Sequence, residues 1–161
     1  VSPADQIIET RRLYSKLFLS GIPELLNDNG AYLSFVCVFA GVEALAGYRY
    51  PDHKNGPRFR AFIKEYFEPR FHPLVAELWD LRNSLVHSFS PAHFALCHGQ
   101  SHRHFTDHPP YLKVLNAENT HGELVAASSR YFEELAGRPD LQALFERRAN
   151  SPRGGLLRIG S

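Results

Sequence analysis

The sequence predicts an all-α fold, a helical bundle of five or six helices with a small β-hairpin insertion. Three observations point there. Apolar residues recur at three- and four-residue spacing in successive stretches from residue 3 to residue 87 and again beyond residue 120. The breaks between those stretches are clusters of Pro, Gly, Asn and Asp, which favour turns over continued helix. Between residues 90 and 116 the character changes to short β-type runs separated by polar turn formers. A chain of 161 residues suits one domain with a sizeable core, here residues 1–150, followed by a tail at 151–161.

The first helix opens on Ser2-Pro3 with Asp5, which supply a capping hydroxyl, a proline at the first helical position and an early acid. Ile7, Ile8, Leu13, Leu17 and Phe18 carry it to about Leu19, and Gly21-Ile22-Pro23 breaks it, with an extra turn expected over Pro23 to Leu26. Asn27-Asp28-Asn29-Gly30 is a turn cluster. The second helix, Ala31 to Tyr48, is apolar almost all round and should be the central buried one, with Glu43 as its only charge. Residues 50–57 read as a loop. The third helix, Pro57 to Phe67, brings Arg58, Arg60 and Lys64, with Arg70 beyond it, into the most basic part of the chain, interleaved with Phe59, Phe62, Tyr66 and Phe67. That alternation suits single-stranded RNA, or is an ordinary solvated helix face with its aromatics turned inward.

The fourth helix runs from Pro73 to His87. Leu74, Leu78, Leu81 and Leu85 make its stripe, widened by Val75, Trp79 and Val86. Phe94–Cys97 and Tyr111–Leu115 read as the strands of an inserted hairpin spanning 90–116. Thr120-His121-Gly122-Glu123 has the form of a capping box, opening a fifth helix that reaches Leu135 and stops at Gly137. Pro139-Asp140 opens a sixth, with Leu141, Leu144 and Phe145 inward. Arg147, Arg148, Arg153 and Arg158 load the last stretch with positive charge, and residues 150–155 read as a linker.

Composition narrows the function. Apolar residues at 43% and charged residues at 22% are ordinary for a soluble globular chain. A net charge of +1 gives no global polycation argument for nucleic acid, so local clusters must carry one. Two cysteines, Cys37 and Cys97, make no disulfide framework, which points to a reducing cytoplasm, and Cys37 sits in an apolar run as an inert core thiol. The N-terminus lacks a basic start followed by an apolar core, so no signal peptide is expected, and the run Ala31 to Ala46 is short for a membrane span. The chain contains no Met, even at position 1, and so reads as a trimmed or processed form. His93, His98, His102, His104 and His108 crowd together, but their spacings fit no standard ligand pattern, and no metal or cofactor is expected. Neither a Gly-x-Ser-x-Gly elbow nor a phosphate-binding glycine loop is present.

Two charges stand where charges are costly. Arg82 falls inside the apolar arc of the fourth helix, and Glu43 lies alone on the apolar second helix. A hydrogen-bonded pair between them would offset both costs. His87 follows Arg82 and Asn83 near the helix end, where an imidazolium also favours the helix dipole.

The spacing Arg82-Asn83-x-x-x-His87 resembles the signature of HEPN domains, an all-helical superfamily with many metal-independent ribonucleases. The resemblance covers Ala31 to His87 best, and elsewhere extends only to helical character. It implies that Arg82, Asn83 and His87 act on a phosphodiester of single-stranded RNA, with two copies of the motif meeting across a homodimer. Glu43 would support them, and Arg58, Arg60 and Lys64 would hold RNA. It also implies a setting of the toxin–antitoxin or phage-defence kind, with an antitoxin or other protein as partner and no membrane. The alternative is a non-catalytic HEPN-like module that dimerises or binds RNA or nucleotide, with Arg82 kept for structure.

Overall fold

Ser2 caps the first helix as its sequence demands. Its hydroxyl accepts from the Asp5 backbone N–H at 3.2 Å, while the Asp5 carboxylate accepts from the Ser2 N–H at 3.3 Å. This is seen in a computed structural model that describes residues 2–27, 29–152 and 154. The helix, α1 (Pro3–Tyr14), continues as a π-helical turn over Ser15–Leu19, which is where the apolar spacing ended it. The short α2 (Ile22–Leu26) contains Pro23. Asp28, in the expected turn cluster, lies outside the described residues.

The centre of the molecule is α3 (Ala31–Arg49). By length and hydropathy it could cross a membrane, but here it is a core helix, packed by α2, α4 (Asn55–Tyr66), α5 (Val75–Ser88), α6 (Ala117–Gly137) and α7 (Pro139–Ala149). Phe35, Val38, Phe39, Val42, Leu45 and Ala46 are buried along it. Aromatic contacts fix its neighbours: Phe39 on Phe59 of α4, and Tyr48 stacked on Phe145 of α7 at 4.6 Å between centroids. Each such fully buried side chain contributes roughly 1.5–3 kcal/mol of transfer free energy.

Boundaries shift where proline was the cue. Pro73 does not open α5. It lies within a 3-10 turn over Pro69–Leu74, and the α-helix starts at Val75. Similarly, α4 begins at Asn55, ahead of Pro57.

The β insertion is present, but it is not a hairpin. Strand β1 (Phe94–Cys97) pairs in parallel with β2 (Lys113–Asn116), Phe94 opposite Lys113 and Cys97 opposite Asn116. Parallel pairing needs a crossover, and residues 98–112 supply it. The segment turns at Gly99 (φ 64°), makes a 3-10 turn over Ser101–Arg103 and comes back along the far edge of β2. There the Phe105 N–H donates to the Val114 carbonyl at 2.8 Å and the Val114 N–H to that of Thr106 at 2.9 Å.

The capping box expected at Thr120 does not form either. β2 runs straight into α6, so Thr120 and Glu123 lie inside the helix. The Thr120 hydroxyl donates to the Asn116 carbonyl, and buried Glu123 accepts from the Glu68 N–H at 2.8 Å. Arg153 and Arg158, and most of the expected tail, lie outside the described residues.

Candidate functional site at the end of α5

Leu78, Leu81 and Leu85 pin α5 to the core and so fix the direction of every other side chain on it. Arg82 is carried toward α3. Its Nε and Nη2 both reach Glu43 Oε2 at 2.7 Å, and Nη1 donates to Asn83 Oδ1 at 3.1 Å. The guanidinium carbon also stands 5.5 Å from the Trp79 ring centroid. The side chains are 24% and 13% exposed for Arg82 and Glu43. The pair is therefore partly desolvated, and the two charges expected to meet do meet. N–H groups on both terminal nitrogens of Arg82 are still free to face an oxyanion, and the Asn83 amide, having accepted through oxygen, has its NH₂ left to donate.

His87 is exposed, and its ring has no hydrogen-bond partner among the described residues. It follows Arg82 by five positions, roughly 140° around the helix. Within one chain Arg82 turns to α3 and His87 to solvent, so the two are not brought face to face.

The helix ends because Phe89 adopts left-handed backbone (φ 51°), its N–H and that of Ser90 both donating to the Ser84 carbonyl. That turn leaves the Phe89 ring 54% exposed at the mouth of a groove of about 380 Å³. Tyr32, Leu85, Phe94 and Tyr111 also line it. Sequence reasoning missed this groove. Its one local sign was a large apolar residue, Phe89, placed between two serines where the helix stops.

The basic residues of α4 are differently placed. Phe59, Phe62, Tyr66 and Phe67 are buried, so the interleaved aromatics build the core and offer no stacking surface. Lys64 is exposed, Arg60 lies by Gly56 and Trp79, and Arg58 is half-buried with its Nε buried and unpartnered. Burial, and then the charge of Arg148, hold Arg58 below the usual arginine range, against a smaller opposing pull from Glu43.

The histidines of the insertion disperse. His93 reaches Asp80 at 3.3 Å, His98 packs edge-on against Tyr32, and His108 stacks on Tyr111. His104 is buried, with Nδ1 accepting from the Asn116 N–H, and is pushed down to about 4 by burial and by Arg70. No group of three or more His, Cys, Asp or Glu positioned for a metal ion occurs among the described residues. The Cys37 thiol, half-buried against the core, is raised by burial, which disfavours the reactive thiolate.

Comparison of the chain with family models, with curated proteins and with solved structures gives no match.

Proposed function

We propose that the chain is a HEPN-like, metal-independent endoribonuclease that works as a homodimer in a reducing cytoplasm. The observation that carries the reading is His87: an exposed imidazole with no partner among the described residues, at the end of a rigidly seated helix that also presents Arg82 and Asn83. In the proposed reaction His87 takes the proton of an RNA 2′-hydroxyl. The 2′-oxygen attacks the adjacent phosphorus, and the bond to the 5′-oxygen breaks. That oxygen leaves with a proton from the His87 of the second copy, in its imidazolium form. Arg82 and Asn83 donate to the non-bridging oxygens as charge develops on them. The products are a 2′,3′-cyclic phosphate and a 5′-hydroxyl. The groove edged by Tyr32, Phe89 and Tyr111 accepts a flanking base, since unstacked RNA bases are held on aromatic faces. Arg58, Arg60 and Lys64 contact RNA phosphates. A toxin–antitoxin or phage-defence setting, with an antitoxin as protein partner, extends the same resemblance.

The test is cleavage of labelled single-stranded RNA. His87→Ala abolishes cleavage and leaves folding and RNA affinity nearly intact, because the imidazole acts on a proton and adds little to phosphate binding. Wild-type cleavage persists in excess chelator. Retained activity in His87→Ala removes that residue as base.

A second reading has its own support. Arg82 is already bonded to Glu43, as a purely structural arginine would be. In that reading the chain is a non-catalytic HEPN-like module, and RNA binding without cleavage by the wild type is its signature.

A further inference from the structure

Glu43 and Gly47 stand one turn apart on the same face of α3. Three other helices send guanidiniums there. Arg82 of α5 takes Glu43. Arg148 of α7 lies flat against Gly47: a β-carbon at that glycine would sit 3.4 Å from its Nε and 3.6 Å from its Nη2. The arginine thus packs directly on the α3 backbone at this position. Arg58 of α4 is within electrostatic reach of both Arg148 and Glu43, and its Nε is buried without an acceptor. The nearby cations that serve structure are visibly paired, Arg147 with Asp52 at 2.5 Å and Arg49 with Glu65 at 2.8 Å. Neither the Arg58 nor the Arg148 guanidinium has a hydrogen bond or ion pair among the described residues.

Half-buried guanidiniums gathered on one helix face are costly unless an anion meets them, because the group stays charged. Among the described residues Glu43 is the carboxylate that these arginines share, and Arg82 already holds it. Net of Glu43, two positive charges are left over. A phosphodiester brings a single negative charge, whereas a terminal phosphate brings about −1.5 to −2 near pH 7 and several strong acceptor oxygens. The fork of each arginine matches those oxygens.

We infer that Arg58, Arg82 and Arg148 form a binding site for a terminal phosphate, the phosphomonoester of a nucleotide or of an RNA end. Arg58 is shared with the RNA-contacting set above, but the site is defined by phosphate binding and stands whether or not the chain cleaves RNA. Gly47 and Glu43 shape it: Arg148 packs against one, and the other holds Arg82 in place.

The experiment is thermal unfolding of the full chain at fixed ionic strength. The additives are inorganic phosphate, a nucleoside 5′-monophosphate, the unphosphorylated nucleoside, or chloride alone. Binding to the folded state raises the unfolding temperature in proportion to ligand occupancy. Phosphate and the monophosphate raise it, and the nucleoside does not. In Arg58→Gln and Arg148→Gln the rise is lost, with affinity down at least tenfold. Their unfolding temperature in chloride equals or exceeds that of the wild type, because a like-charge repulsion has gone. If Arg58→Gln does not fold, Arg148→Gln alone decides. A 5′-phosphorylated oligonucleotide that outcompetes free phosphate, where its 5′-hydroxyl twin does not, assigns the site to an RNA end. Equal competition by the monophosphate assigns it to a free nucleotide. No rise in the wild type with either phosphate, or the same rise in Arg148→Gln, overturns the inference. RNA cleavage is not read, so its failure leaves this test untouched.

Discussion

Removing Glu43 strands a cation. Glu43→Ala leaves Arg82 half-buried, facing α3 with no carboxylate. Breaking a fully buried pair costs about 3–5 kcal/mol, and the solvent reaching this one lowers the expected cost to about 2–4 kcal/mol. Replacing both partners by Leu costs far less, since neither charge is then orphaned. Urea unfolding of the single and double variants checks this, and a Glu43→Ala loss below about 0.5 kcal/mol would mean the pair is solvated and structurally idle. The pair was legible in the sequence because each member was a lone charge inside an apolar arc, and a helical wheel suffices to see that. The electrostatic pairing of Arg58 with Arg148 was not. It joins α4 to α7, far apart along the chain, and both arginines sit in basic stretches that read as ordinary solvated faces. No local period couples them. Only the packing of both helices on α3 does.

At the scale of elements, what the sequence disclosed follows the range of the forces involved. Helix positions came through because the 3.6-residue period is a local property that burial then enforces, as Leu78, Leu81 and Leu85 illustrate. Strand direction did not come through. Two β-type runs joined by a polar segment are compatible with either pairing, and the choice was made by the return of Phe105 and Thr106 along β2. The capping motif at Thr120 was overridden for a similar reason, since β2 delivers the chain already poised for helix at Asn116. The α5 terminus makes a testable case. Phe89 holds a left-handed conformation that costs a residue with a β-carbon roughly 1–2 kcal/mol, and its ring is mostly in solvent. Phe89→Gly therefore folds at least as stably as the wild type, by up to about 1 kcal/mol in chemical denaturation. If the groove holds a base, the same variant loses RNA affinity by tenfold or so, in keeping with stacking worth about 1–3 kcal/mol per base. A variant that is more stable and binds RNA unchanged would strip Phe89 of a recognition role and leave its exposure unexplained.

For the molecule as a whole, the proposed chemistry is incomplete in one copy. Arg82 turns to Glu43 of α3 while His87 lies exposed, so in the proposed reaction a second copy completes the cleft. The end of α5 carries apolar surface suited to such a contact: Val86 is 50% exposed next to His87. If two copies meet there, cleavage per chain rises with protein concentration and levels off where sedimentation shows the dimer complete. Val86→Glu places a charge against its own symmetry mate, and like charges in a desolvated contact cost several kcal/mol. The variant should stay folded, because Val86 contributes little to the core, yet sediment as a monomer and lose cleavage by 100-fold or more. A wild-type chain that cleaves RNA as a monomer at micromolar concentration would defeat the composite site and require His87 to act without its symmetry mate. A dimer that persists in Val86→Glu with cleavage intact would move the interface elsewhere on the surface and free α5 to bind RNA alone.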